Sequence, residues 1–188
     1  PSLHGLSAQC GSEDVEVRGV KGLTRTTVGA DEFRTAMRRL AAGVSIISAP
    51  SPKGPLGITA TAVTSLTAEP PSLLCCVNKN LLVGDAIRSM GRYAVNVLGQ
   101  EHCTLARRFA GLDGVRGVEK FAAGNWEYSS GGIPRLADSL VSFTCDVDRV
   151  VAASTHDILI GVITDIRTGN QGEPLIYCDG SFSGLLAL

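Results

Sequence analysis

The chain has 188 residues, of which 44% are hydrophobic and 19% charged, and its formal net charge is -1. This composition fits one packed domain and excludes a disordered chain, and the lack of a basic surplus argues against a nucleic-acid partner. The longest apolar runs are far shorter than the ~20 residues of a membrane-spanning helix. Residues 1–30 lack the basic start and apolar run of a secretory signal, so a cytoplasmic protein without a membrane segment is expected.

The cysteine spacing favours free thiols over disulfides or a metal site. It contains no C-x-x-C pair and no zinc-ligand pattern. The six cysteines are Cys10, Cys75, Cys76, Cys103, Cys145 and Cys178. Cys75 and Cys76 are adjacent in an apolar run, so on a strand they would point to opposite faces. Buried thiols in a reducing compartment explain the set, and no metal is expected.

In chain order, residues 1–29 show no periodicity and are predicted to form a mobile or loosely packed N-terminal arm. Residues 30–188 are predicted to form the folded domain. Its first element is a short amphipathic helix with Asp31 as N-cap and Gly43 as its stop. The apolar residues that recur at helical spacing in it are Phe33, Met37, Leu40 and Ala41.

The pattern then changes to strands separated by turns, with helices expected over residues 83–90 and 101–109 and a Gly-rich loop over 111–117. The expected strands cover residues 44–48, 57–67, 72–77, 93–98, 141–148, 158–163 and 174–178. Alternation in residues 141–148 predicts one buried and one wet face. The run 158–163 is apolar on both faces, as in a strand packed on two sides. Many strands with few, short helices predict a closed or nearly closed antiparallel barrel.

Residues 57–67, followed by Ala68-Glu69-Pro70-Pro71, consist mostly of small and hydroxyl-bearing residues. Such a strand lets a flat ring lie close to the backbone, while N–H groups and hydroxyls bond to ring heteroatoms. The alternative is an ordinary Thr-rich edge strand, since Thr is favoured on strands.

Two further segments carry candidate ligand-binding groups. Residues 76–80 (Cys-Val-Asn-Lys-Asn) join a strand to a helix, where loose amides, two Asn and a Lys can hold a phosphate. A polar loop with Asn in its usual turn role is the alternative. His156 directly precedes an apolar strand and can bond a substrate amide or assist a proton, although a single His there is often structural or exposed. No hydrolase, P-loop, zinc-protease or dinucleotide-binding motif is present.

In their order, these segments resemble the flavin reductase family with an FMN-binding split-barrel fold, which includes the reductase components of two-component flavin monooxygenases. The resemblance runs from about Asp31 to the last strand, and the ordered set of motifs carries it. The set is the first helix, Gly-Ile-Thr-Ala-Thr-Ala-Val-Thr-Ser, a Pro-Pro strand, Cys-Val-Asn, Tyr-Ala-Val-Asn-Val-Leu, Arg-Phe-Ala-Gly and a late His strand. The implied fold is a mainly β, antiparallel split barrel with a few short flanking helices.

The resemblance also implies the residues that contact the cofactors. Those implied to meet the flavin ring and ribityl chain, largely through backbone groups, are Thr61, Ala62, Val63, Thr64 and Ser65. Those implied to lie along the ribityl and phosphate portion are Cys76, Val77, Asn78, Lys79 and Asn80. Positions where the family places other flavin contacts or a late aromatic residue are Arg107, Phe109 and Tyr177.

His156 matches the His of a Gly-Asp-His signature that helps to bind the nicotinamide, and it is the candidate catalytic residue. Here Ser154-Thr155 replaces the Gly-Asp pair. A second departure is Asp179-Gly180-Ser181, which stands where basic residues often follow the aromatic position.

The activity implied by the resemblance is hydride transfer from NADH or NADPH to FMN or FAD, which needs no acid–base residue. The reduced flavin would serve a partner monooxygenase. Alternatives within the same fold are reduction of another acceptor, such as a corrinoid or a ferric complex, or a non-catalytic flavin-binding electron carrier. Because similar proteins are homodimers with the flavin near the subunit interface, a homodimer is expected.

Overall fold

The computed structural model describes residues 27–129, 131–169 and 171–185. The predicted N-terminal arm therefore lies outside the described residues, apart from residues 27–29. The α-helices are α1 (Ala30–Met37), α2 (Leu82–Met90) and α3 (Cys103–Phe109). The strands are β1 (Ala42–Gly43), β2 (Ser45–Ala49), β3 (Leu56–Ala60), β4 (Val63–Ala68), β5 (Pro71–Asn78), β6 (Arg92–Val97), β7 (Trp126–Tyr128), β8 (Pro134–Leu136), β9 (Val141–Ala153), β10 (His156–Thr168), β11 (Ile176–Cys178) and β12 (Ser181–Ser183).

Seven strands form one antiparallel sheet in the order β3-β2-β6-β9-β10-β5-β4. β3 and β4 are consecutive in the chain yet occupy the two opposite edges, with only Thr61 and Ala62 between them. Since so short a connection joins both edges, the sheet has to curl until the edges approach each other. The prediction of a mainly β, antiparallel barrel is confirmed.

The prediction of a single strand over residues 57–67 is wrong, because a bend at Thr61 and Ala62 divides this segment into two strands. At the bend the Cys76 N–H donates to the Ala62 carbonyl at 3.0 Å, which ties the junction to β5. β-propensity is high on both sides of the bend, so the composition of the segment does not reveal where the chain changes direction.

Inward-facing side chains of these strands fill the barrel, and α2 covers one end of it with Val83, Ala86 and Ile87. Tyr93 is fully buried at the centre of this core. A Cβ at Gly161 would collide with the Tyr93 hydroxyl, so the absence of a side chain at Gly161 makes room for the ring.

A second core lies on the other side of β2 and β6, under α3 and the small sheet β1-β11-β12. Its aromatic centre is Phe109, which contacts Phe121 at 4.9 Å and Trp126 at 5.4 Å between ring centroids. The hairpin β7–β8 and the strand β12 were not expected from the sequence; each of these strands has only three residues, too few for a periodic signal.

The wet face predicted for residues 141–148 is wrong in its first half, where Ser142 and Thr144 are buried. Ser142 Oγ donates to Asn96 Oδ1 at 2.9 Å, and Asn96 also donates to the carbonyl of Ile46 and accepts from the N–H of Leu136. The Asn96 network therefore replaces solvent at Ser142, whereas the buried Thr144 Oγ1 has no hydrogen-bond partner among the described residues.

Packing on both faces was predicted for residues 158–163, but only one of the two faces is buried within one chain. Leu159 and Gly161 are buried, whereas Ile158, Ile160 and Val162 on the opposite face are only partly buried. The outer face of β10 is thus more apolar than a fully solvated surface requires.

Helix α1 forms, but Gly29 and not Asp31 occupies the N-cap position. The predicted stop at Gly43 is also wrong, because the helix ends at Met37 and Gly43 belongs to β1. Asp31 lies in the first turn and forms an ion pair with Arg34. The apolar positions Phe33, Met37 and Leu40 remain about half exposed, because no other described element covers this face of the helix.

Cys75, Cys76, Cys103, Cys145 and Cys178 are free thiols, as predicted, while Cys10 lies outside the described residues. Cys75 faces the barrel core and Cys76 faces outward, as their adjacency predicts. None of the helices in the described part of the chain has the length and apolar character to cross a membrane.

Candidate active site

The first predicted segment, residues 61–65, forms the bend at the barrel junction and the start of β4. Thr61 and Ala62 are exposed, and so are Thr64 and Ser65. Val63 instead packs against the barrel core. The segment therefore offers backbone groups and small side chains at an open junction, where a flat ring can approach the chain.

The second segment, residues 76–80, is the end of β5 and the turn into α2. Val77 is 2% exposed and belongs to the barrel core, so Cys76 and Asn78 lie on the outer face of the strand. Asn78 Oδ1 accepts the N–H of Asn80 at 2.9 Å, and this side-chain turn ends the strand. One face of the segment is thus structural and the other is available to a ligand.

His156 begins β10 and lies directly opposite Asn78 in the ladder between β10 and β5. Its side chain is exposed, and its Nδ1 lies 2.9 Å from Thr155 Oγ1. Ser154 has a φ of 50°, in the left-handed region that glycine adopts most readily. Ser154 therefore keeps the turn that the Gly of the family signature favours, at the cost of backbone strain.

Lys79 joins the turn between β9 and β10 to the loop after β5. Its N–H donates to the Thr155 carbonyl at 3.0 Å, and its Nζ donates to the Ser154 carbonyl at 2.8 Å. The buried carboxylate of Asp157 lies 3.8 Å from the same Nζ. The Lys79 ammonium is thus already bound by the Ser154 carbonyl and the Asp157 carboxylate, and a phosphate at the loop would compete with them for it.

The three segments, far apart in the chain, lie side by side on β4, β5 and β10. The bend bonds to Cys76 through the Ala62 carbonyl, and Asn78 pairs with His156 two residues further along β5. Since residues paired across strands share a face, Asn78 and His156 both point outward. The barrel register thereby builds one continuous outer row from the bend to His156.

Phe109 and Arg107 stand in α3 but face different surroundings. Phe109 is 1% exposed and lies under β3, where a Cβ at Gly57 would come within 2.7 Å of its ring. Arg107 is exposed. The Phe109 ring supports the site from within the core, and its carbonyl accepts a hydrogen bond from Lys120 at 2.9 Å.

Tyr177 lies in β11, on the other side of the bend. It packs edge-on against Phe182, with ring centroids 5.2 Å apart. With Thr61, Ala62 and the apolar face of α1, it lines an open cavity of about 360 Å³. Of the predicted contacts, only the bend residues and Tyr177 meet there.

A second cavity, of about 250 Å³, lies between β3, the start of α2 and the loop after α3. Asn80 is the predicted residue that lines it, beside Gly57 and the cations Arg116 and Lys120. Burial, and then the charge of Arg116, lower the pKa of Lys120. No carboxylate of the described residues forms an ion pair with either cation, so the cavity favours an anion.

Arg116 and Lys120 were not predicted from the sequence as candidate site residues. The available signal was the segment 111–120, in which the two basic residues stand on either side of Gly117, soon after the Arg-Phe-Ala-Gly motif. Their distance along the chain from residues 76–80 concealed that both groups line one cavity.

The barrel core itself offers no redox centre. Burial raises the pKa of the Cys75 and Cys145 thiols to about 12, so both remain protonated near neutral pH. Within the described ranges, no cluster of His, Cys, Asp and Glu could hold a metal ion.

Comparison with known proteins agrees with this geometry. The family model described as "Flavin reductase like domain" matches residues 37–186. The 4-hydroxyphenylacetate 3-monooxygenase reductase component of Pseudomonas aeruginosa is 39% identical over 153 residues, covering 81% of this chain and 90% of the relative. The FMN reductase (NADH) RutF of Variovorax paradoxus is 40% identical over 156 residues, covering 83% and 86%.

Among solved structures, the flavin reductase PheA2 superposes with a TM-score of 0.77 at 28% identity, covering 85% of this chain and all of that one. The resemblance identified in the sequence is confirmed, together with the split-barrel fold and the enzyme class, a flavin oxidoreductase that uses flavin and NADH. The chain belongs to the flavin reductase like domain family.

Proposed function

We propose that this chain transfers hydride from NAD(P)H to FMN or FAD and supplies the reduced flavin to a partner monooxygenase. The observation that carries the proposal is the outer row from the bend at Thr61 and Ala62 through Asn78 to His156, which ends beside a cationic cavity. The names of the relatives in Pseudomonas aeruginosa and Variovorax paradoxus support the same reaction.

The residues proposed to hold the flavin divide into a ring part and a phosphate part. Backbone groups of residues 61–65 and the outer face of Cys76 and Asn78 contact the ring and ribityl chain. Asn80, Arg116 and Lys120 hold the phosphate, and an anion there offsets the burial and the repulsion from Arg116 that lower the pKa of Lys120. When bound, the flavin supplies a hydride acceptor.

His156 is proposed to position the nicotinamide at the far end of the row. Its exposed ring can donate or accept a hydrogen bond to a carboxamide, and Thr155 Oγ1 holds the ring at Nδ1. No proton transfer is required of it, because the protein's part in hydride transfer is to align the two rings.

The same surface supports a homodimer. On the outer face of β5 and β10, Leu74, Ile158 and Ile160 are partly buried and apolar, which is unusual for strands that only face solvent. A second copy packed on this face would complete the two-sided burial of β10 predicted by the sequence. We further propose a cytoplasmic location, which suits the free thiols.

A non-catalytic electron carrier is the second candidate, because Ser154-Thr155 departs from the Gly-Asp pair of the family signature. The backbone of Ser154 retains the turn, and Thr155 bonds to His156, so the departure leaves the His in place. These contacts favour the reductase over the carrier.

The test is to mix the purified protein without oxygen with FMN or FAD and with NADH or NADPH, and to follow the flavin and nicotinamide absorbance bands. Flavin bleaching with matching loss of the nicotinamide band is the expected result. Flavin binding without bleaching by either donor would refute the reductase and support the non-catalytic electron carrier. A screen with a corrinoid and a ferric complex would identify another final acceptor.

A further inference from the structure

Asp157 is an exception among the inward-facing residues of β10, because it carries a charge at the buried start of the strand. Leu159 and Gly161, which alternate with it, are core residues, and the Asp157 side chain is itself only 7% exposed. A carboxylate removed from water in this way persists when it has cationic partners.

Two cations from different elements meet this carboxylate. Arg88, near the end of α2, pairs with Asp157 Oδ2, and Lys79, in the loop after β5, has its Nζ 3.8 Å from Oδ1. Arg88 also pairs with Asp85, one turn earlier on α2 and largely exposed. Asp157 thus touches both α2 and the loop, whereas Asp85 touches α2 alone.

Lys79 extends this network to the turn that carries His156. The same Nζ donates to the Ser154 carbonyl, and the Lys79 N–H donates to the Thr155 carbonyl. On its other side, Lys79 is followed by Asn80, which lines the cationic cavity. Lys79 therefore contacts the turn that carries His156 and directly precedes the residue that lines the cavity.

We infer that Asp157 is a positioning residue that couples the nicotinamide side of the site to the flavin side, by holding Lys79 between the β9–β10 turn and the loop before α2. This inference rests on the proposed function. Asp157 contacts no substrate in this role. It holds Lys79, and Lys79 in turn positions the turn that carries His156 and the adjacent Asn80.

The experiment compares Asp157→Asn with Asp85→Asn in the full chain. Both changes remove a carboxylate that pairs with Arg88, but only the first releases Lys79. For Asp157→Asn we expect the KM for NADH and the Kd for FMN each to rise about tenfold, as for loss of a charged hydrogen bond, with kcat within about twofold. Asp85→Asn should leave all three unchanged.

A purely structural role for Asp157 would lower the melting temperature and leave KM and Kd unaltered in the folded protein, and that result would overturn the inference. If Asp157→Asn does not fold, Arg88→Met tests the same network, because it removes the cation that holds the Asp157 carboxylate in place beside Lys79. We expect smaller rises of KM and Kd in the same direction, and unchanged values would again overturn the inference.

Amide hydrogen exchange in the ligand-free protein separates this inference from the proposed function. The Lys79 N–H, bonded to Thr155, should exchange faster in Asp157→Asn and not in Asp85→Asn. If the protein binds FMN but oxidises no NAD(P)H, the proposed function fails, while the exchange and the FMN Kd still test Asp157. Unchanged Lys79 exchange would refute the positioning role even in an active reductase.

Discussion

Cys75 and Cys76 are neighbours on β5, yet they belong to two different regions of the protein. Cys75 is fully buried in the barrel beside Tyr93 and Cys145, whereas Cys76 lies partly exposed on the outer row with Asn78 and His156. The inner face consists of close-packed side chains that stabilise the barrel, and the outer face carries the groups proposed to contact ligands. A shift of one residue in register would exchange the two faces, so the barrel register is what places the site.

The largest effect is expected at alkaline pH, where the buried thiols of the inner face should make the protein less stable. The unfolded thiols titrate near 9.0 and the folded ones near 12, so above pH 9 the unfolded chain binds fewer protons and stability falls as pH rises. Between pH 9 and 12, Cys75→Ala should reduce this loss by roughly 1.4 kcal/mol per pH unit. Urea unfolding at several pH values measures the slope, with Cys76→Ala as the outward-facing control.

At neutral pH, truncation of a side chain on the inner face should lower the unfolding free energy more than truncation of one on the outer face. Leu159→Ala removes a fully buried side chain and should cost about 2–5 kcal/mol of unfolding free energy. Its neighbour Ile158→Ala, on the outer face, should cost less in a monomer. Denaturant unfolding at several protein concentrations gives both values. An equal, concentration-independent cost would mean that the two faces are equally buried within one chain.

The cationic cavity should discriminate flavins by their phosphate. Arg116→Ala removes a charge-assisted contact and should weaken FMN binding about 10- to 100-fold. Riboflavin, which has no phosphate, serves as the matched ligand, and its Kd should change little. Fluorescence titration measures both. A parallel loss of FMN and riboflavin affinity would assign Arg116 to the ring or to the fold instead.

His156→Ala should raise the KM for NAD(P)H about tenfold, the value expected for loss of one polar contact to the ligand. The Kd for FMN should stay within about twofold, because His156 does not line the cavity proposed to hold the flavin phosphate. Steady-state kinetics and flavin titration give the two constants. If both change together, His156 supports the structure and does not bind the donor.

The smallest effect is expected at Ser154. Ser154→Gly relieves a φ of 50° and should stabilise the protein by about 0.5–1 kcal/mol, with the KM for NADH unchanged. Thermal unfolding measures the gain. Destabilisation would show that the Ser side chain compensates for the backbone strain at this turn.

Local periodicity was sufficient for most of the strands of the barrel. The runs around Val95, Phe143 and Leu159 carry the β pattern, and their strands form where expected. The sequence failed where a neighbouring element changes the environment. Ser142 looks solvent-facing until the Asn96 network covers it, and α1 looks like a helix packed on a core although no described element covers Phe33 or Met37.

The sequence by itself determined the family, the β content, and the three segments that line the outer row, because these depend on residue type and short-range order. Only the tertiary structure decided that residues 57–67 bend between two sheet edges and that Arg116 and Lys120 share a cavity with Asn80. It also decided that a buried Asp157 holds Lys79. Those relations join residues far apart in the chain, and the register and closure of the barrel, which no local pattern encodes, bring them together.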